Sequence, residues 1–103
     1  MRRDAFHAIA DPTRRDILYL LKNKELNINT VAENFTISRP AISKQMKILE
    51  ECGLVIIHQR GRERYCEAKM DKLTEVSTWI EKYKDFWNNK LDALEKFLDS
   101  SED

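Results

Sequence analysis

FTISRPAISKQMKILEECGL, residues 35–54, is the stretch that decides the fold. Phe35 and Ile37 make a short apolar turn that runs into Ser38, whose hydroxyl suits a helix N-terminus. Beyond it, Ile42, Met46 and Leu49 recur at helical spacing and can be buried together. Pro40, Ser43, Lys44 and Lys47 recur on another face, small at its start and cationic further on. A helix that enters the major groove of a duplex needs this combination: small side chains for close approach, then cations for phosphates. Cys52-Gly53 ends the helix, because glycine accepts the left-handed exit.

Upstream, Asn27 can cap a helix from Ile28 to Asn34 that buries Ile28, Val31 and Ala32. With residues 35–52 it forms a helix-turn-helix over about 28–52. Asn23 to Leu26 reads as a polar connection. Asp11-Pro12 starts a helix that runs to about Lys22, with Asp as cap and Pro where a missing N–H does no harm. Ile17, Leu18, Leu20 and Leu21 form its buried side. Arg14 and Arg15 read as structural or phosphate-positioning rather than base-reading. Arg3 to Ala10 is a further short helix with Phe6 and Ile9 on one side.

Downstream, LVIIHQRGRERYCEA (54–68) holds two strand-like runs about a central Gly61, which reads as a hairpin. A hairpin directly after a helix-turn-helix is a wing. Its tip carries Arg60 and Arg62, with Arg64 just behind, suited to phosphates or a narrow minor groove. Asp71 to about Leu98 then reads as one long helix without Gly or Pro. Leu73, Val76, Ile80, Tyr83, Trp87, Leu91, Leu94 and Leu98 step by threes and fours, and Trp79, Phe86 and Phe97 widen the stripe. Such a helix is ~40 Å long, against a radius of gyration of ~13 Å for a 100-residue domain. One protomer cannot cover the stripe, so a homodimer seam is expected there, with Phe6 of the first helix packed into it. Ser100 to Asp103 reads as a frayed acidic tail.

The 103 residues fit one small domain, 1–103, and at 42% hydrophobic and 35% charged the chain is globular rather than disordered. No apolar run reaches ~18 residues, and the N-terminus lacks a signal-type apolar core, so no membrane partner is expected and a cytoplasmic location is. The net charge is zero, which by itself argues against nucleic acid, yet its distribution is uneven. Residues 1–66 carry a balance of +4 and residues 67–103 a balance of −4. Asymmetry of this kind marks a nucleic-acid surface on one half.

The order of these elements resembles the ArsR-type winged-helix repressors, over about residues 3–98. The most specific pieces are AIADPTRRDIL (8–18), SRPAISKQMKILEECGLV (38–55) and RGRERY (60–65), while WIEKYKDFWNNKLDALEKFL (79–98) is similar to a metal-independent branch. The resemblance implies a mainly α fold with a small β-hairpin, a winged helix-turn-helix with a wing at about 54–68 and a long C-terminal dimerisation helix at about 71–98. It implies a symmetric dimer that binds an imperfect palindrome in double-stranded DNA at its own or a neighbouring promoter and represses transcription. Ser38, Arg39, Pro40, Ala41, Ser43, Lys44, Gln45 and Lys47 fall on its recognition-helix positions, and Arg60, Gly61 and Arg62 on its wing tip. Ile80, Tyr83, Trp87, Leu91 and Leu94, with Phe6, are the expected dimer interface.

Metal-sensing members of that family place cysteines near the start of the third helix or Asp/His sets on the last. Here Leu26 to Val31 contains no Cys and the last helix no His. Zinc takes about four ligands, and His7, Cys52, His58 and Cys66 are spread over four elements, so no metal and no cofactor are expected. Two cysteines do not make a disulfide scaffold. With two Gly and two His, and no phosphate loop, nucleophile elbow or HExxH helix, no catalytic residues are expected. The alternatives left open are a winged helix that binds protein only, and a repressor that responds to redox state, metal or another effector.

Overall fold

Side-chain caps set where the helices begin. The computed structural model describes residues 2–101. Asp4 accepts from the His7 amide at 2.9 Å and opens α1 (Ala5–Ile9). Asp11 accepts from the Arg14 amide at 3.1 Å and, with Pro12, opens α2 (Pro12–Leu20). Each such cap contributes about 1 kcal/mol. Asn27 opens α3 (Ile28–Glu33) by accepting from the Asn29 amide at 2.8 Å, and Ser38 opens α4 (Arg39–Glu51).

At the far end of α4, Gly53 has φ +81°, and two backbone bonds close the exit: Leu54 N–H to Leu49 C=O and Gly53 N–H to Glu50 C=O, both 3.0 Å. This is the Schellman arrangement. It delivers Leu54 into the core and the chain into β2 (Val55–Arg60), which returns as β3 (Glu63–Ala68). The tip is a two-residue turn, with Arg60 paired to Glu63 and Gly61 at φ +63°. A positive φ at the first central residue is the II′ pattern that suits a twisted hairpin.

The sheet holds more than the expected hairpin. Glu25–Asn27 forms a third strand, β1, antiparallel to β3 in the order β1-β3-β2. The expected polar connection over residues 23–26 is corrected accordingly. Three residues are too few to show alternation, and only Leu26, opposite Cys66, turns toward the core. The helix bounds differ slightly from expectation. The first helix is shorter than Arg3–Ala10. A 3-10 turn at Met70–Lys72 precedes α5 (Leu73–Ser101), which includes Ser100, placed in the tail by the sequence reading. The rest of that tail, Glu102 and Asp103, lies outside the described residues.

The chain divides into two compact units, one through Leu73 and one from Thr74 onward. The core of the first joins Ile17, Leu18 and Leu21 of α2 and its exit to Ile28 and Val31 of α3, Ile42, Met46 and Leu49 of α4, then Leu54, Val55 and Cys66. The second unit is a 29-residue helix, ~44 Å long. Trp79, Ile80, Tyr83, Phe86, Trp87, Leu91, Leu94, Phe97 and Leu98 are exposed along it. Among the described residues, no helix is long and apolar enough to cross a membrane.

Candidate nucleic-acid interface

The buried stripe of α4 fixes its other side outward. Ile42, Met46 and Leu49 are wholly buried, while Arg39, Pro40, Lys44 and Lys47 are exposed and Ala41 and Ser43 half-buried. Ser38 accepts from the Ala41 amide at 3.3 Å. Arg39 donates from Nε to Asn29 Oδ1, tying the start of α4 to α3. Pro40, Ser43, Lys44 and Lys47 line one cleft together with Ile57 and Arg64 of the hairpin. Glu50 lies at the same cleft, one helical turn past Lys47, and bounds the basic face. A groove with three cations, small residues at the helix start and a strand pair beside it can take up a phosphate backbone while α4 approaches bases.

Gln45 stands apart from the other expected contacts. It is half-buried, and its Oε1 accepts from Arg14 Nη1 at 2.9 Å. Arg14 is 7% exposed, and it also donates from Nε to Ala8 C=O at 3.0 Å and from Nη2 to His7 C=O at 2.9 Å. A buried guanidinium holds three helices here: the end of α1, its own α2 and the middle of α4. Arg14 is thus structural, whereas Arg15 is exposed and reaches Ile9 C=O. Replacing Arg14 with Met takes the donor from the Ala8 carbonyl and the Gln45 amide oxygen, each costing about 1–3 kcal/mol, while the His7 carbonyl keeps the Ala10 amide. Arg14→Met is expected to lower unfolding stability by about 2–4 kcal/mol, measured by urea denaturation. A change under about 0.5 kcal/mol, the size of an ordinary surface substitution, would contradict this role.

At the wing tip the three expected residues differ. Gly61 makes the turn and Arg62 is exposed. Arg60 instead bonds Glu25 of β1 through both terminal nitrogens, at 2.5 and 3.2 Å, and lies 5.0 Å over the Tyr65 ring. To reach a phosphate it must leave Glu25, an exposed ion pair of about 1 kcal/mol or less. Arg64, placed behind the tip by sequence, shares the cleft with Lys44 and Lys47.

Of the residues expected in a dimer seam, Phe6 is half-buried on α1, while Ile80, Tyr83, Trp87, Leu91 and Leu94 are exposed on α5. Trp79 stacks on Tyr83 at 5.3 Å between ring centroids, and Tyr83 meets Trp87 edge-on at 6.0 Å. Both cysteines are free and buried. Burial pushes the Cys52 thiol up, and burial with the nearby Glu50 carboxylate raises Cys66 to about 11. Thiols so rarely ionised at neutral pH make slow nucleophiles, which disfavours a redox switch at either.

Residues 11–56, from the α2 cap into β2, match the bacterial regulatory protein, arsR family. The chain is 36% identical over 77 residues to the transcriptional repressor SdpR of Bacillus subtilis, covering 75% of this chain and 86% of that protein. It is 30% identical over 99 residues to the HTH-type transcriptional regulator Rv2034 of Mycobacterium tuberculosis, covering 96% and 90%. An ArsR-like transcriptional regulator from Rhodococcus sp. RHA1 superposes with a TM-score of 0.72 at 30% identity, covering 92% of this chain and 87% of that one. The capped helix pair, the wing beside it and relatives similar along most of their length point the same way: the chain belongs to the ArsR family of transcriptional regulators.

Proposed function

We propose that this protein is a homodimeric, sequence-specific DNA-binding repressor that acts at its own or a neighbouring promoter in the cytoplasm, by occupancy and without catalysis. The observation that carries this reading is the cleft where Lys44 and Lys47 of α4 meet Arg64 of the wing, bordered by Pro40 and Ser43. Residues 1–103 act as one module in this proposal, with α5 as the dimerisation arm. Ser38 and the first-turn amides of α4 hold a phosphate. Arg39, Pro40, Ala41 and Ser43 come nearest the bases. Lys44 and Lys47 neutralise the backbone, and Gly61 and Arg62 carry the wing to the adjacent groove, joined by Arg60 when it leaves Glu25. Gln45 acts from behind, through Arg14. The α5 stripe, with Phe6, supplies the seam that places two α4 helices in successive major grooves of an imperfect palindrome, ~34 Å apart. The relatives' repressor and regulator names agree with this role.

The test is footprinting of the DNA upstream of the protein's own gene at ~50 and ~200 mM salt, where loss of six to ten phosphate contacts' worth of counterion release weakens binding steeply. Two protected half-sites about one turn apart are expected. Absent protection, or an affinity indifferent to salt, would exclude the reading. In the same assay Arg62→Ala is expected to weaken all operator variants about equally and to reduce the salt slope by about one. A loss confined to one base substitution would assign Arg62 to base reading instead.

A further inference from the structure

The outer face of the sheet brings together three ligand-type side chains from three different strands. Glu25 of β1 and Glu67 of β3 are direct register partners, and His58 of β2 lies diagonal to Glu67, its ring nitrogen Nε2 at 2.8 Å from Glu67 Oε2 and 3.9 Å from Glu25 Oε2. One ligand atom from each of the three falls within 4.8 Å of the others. We propose that Glu25, His58 and Glu67 form a binding site for a divalent transition ion of the zinc class, which clamps the wing hairpin to β1.

Two independent features support it besides proximity. Like charges directly opposite each other in a sheet repel; Arg60 offsets the Glu25 carboxylate, and an ion between the two carboxylates would offset the charge that remains on Glu67. Arg60 bonds both Glu25 oxygens, Oε1 at 2.5 Å and Oε2 at 3.2 Å, and so fixes the carboxylate as outer partners do around metal ligands, with Oε2 on the side of His58. Second, Glu25 and Glu67 also border an open cleft with Asn23, Lys24 and Met70, so water can fill the remaining coordination positions. Around a tetrahedral ion with bonds of about 2.0–2.1 Å, ligand atoms sit roughly 3.3 Å apart, so the two imidazole–carboxylate distances need adjust by only about half an ångström each. Ligands on neighbouring strands of a paired sheet hold that geometry better than loop residues do. One imidazole with two carboxylates suits zinc, nickel, cobalt or manganese rather than the softer thiolate-seeking ions.

Purified full-length protein titrated with Zn2+ against a chromophoric chelator tests this, with thermal unfolding measured alongside. One ion per chain and a Zn2+-dependent rise in Tm are expected, since an ion that binds the folded state stabilises it. His58→Gln and Glu67→Gln should each weaken binding about 10- to 100-fold or more and abolish the Tm rise, while their Tm without metal stays near that of the wild type. Cys52→Ser and Cys66→Ser should retain both. Zn2+ binding unchanged in His58→Gln and Glu67→Gln, its loss in a cysteine variant instead, or no binding by the wild-type chain at millimolar Zn2+ would each overturn the proposal. No DNA enters the measurement, so its outcome is independent of the repressor reading.

Discussion

Lys44→Glu is expected to abolish operator binding in a gel-shift assay while leaving the proposed dimer and the folded state intact. Lys44 is exposed in the second turn of α4 and lines the cleft shared with Lys47 and Arg64. In the proposed complex, reversal would remove one phosphate contact and set a carboxylate against the backbone, and misplaced like charges in an interface cost several kcal/mol. At about 1.4 kcal/mol per decade, that is a loss of roughly 100-fold or more. An exposed substitution of this kind alters folding by about 0.5 kcal/mol or less, so circular dichroism and light scattering should match the wild type. Retained binding would mean that another face of α4 meets the duplex.

In the proposed homodimer, Leu94→Asp is expected to leave monomers. Leu94 lies on α5, two heptads past Ile80 and one past Trp87, on the stripe that the isolated chain leaves exposed. Monomeric proteins rarely display apolar patches beyond a few hundred Å2, and here nine large apolar side chains share one helix. A carboxylate in a closed seam must be desolvated without a partner, and two-fold symmetry inserts it twice. Sedimentation equilibrium should report the protomer mass, and operator affinity should fall because one half-site is held alone. A persisting dimer would place the seam elsewhere on the chain.

Much of this architecture was legible because single residues carry it. Ser38, Asp11-Pro12 and Asn27 mark helix starts by chemistry that acts within three residues, and Gly53 marks an exit only glycine makes cheaply. β1 was not legible, because its pairing is supplied by β3, some forty residues away. Arg14 carried a usable signal: it precedes Ile17, Leu18 and Leu21 by three, four and seven, the spacing of the buried face, while Arg15 does not share it. Gln45 likewise sits three after Ile42 and four before Leu49, at the margin of the buried stripe rather than on the open side. The Glu25–His58–Glu67 cluster escaped a reading that weighed only cysteine and histidine as ligands, and only the strand register puts the carboxylates beside the imidazole.

Asn27 has two positions at once: it is the last residue of β1, opposite Tyr65, and the cap of α3. Its side-chain amide also donates to Glu63 beside the hairpin tip. No slack residue separates sheet from helix, so a push on the hairpin is delivered to the first turn of α3 as a lever delivers it across a rigid elbow. Any partner that grips the strands would also tilt the helix pair, and a single hinge-loosening insertion after Asn27 should uncouple grip from tilt.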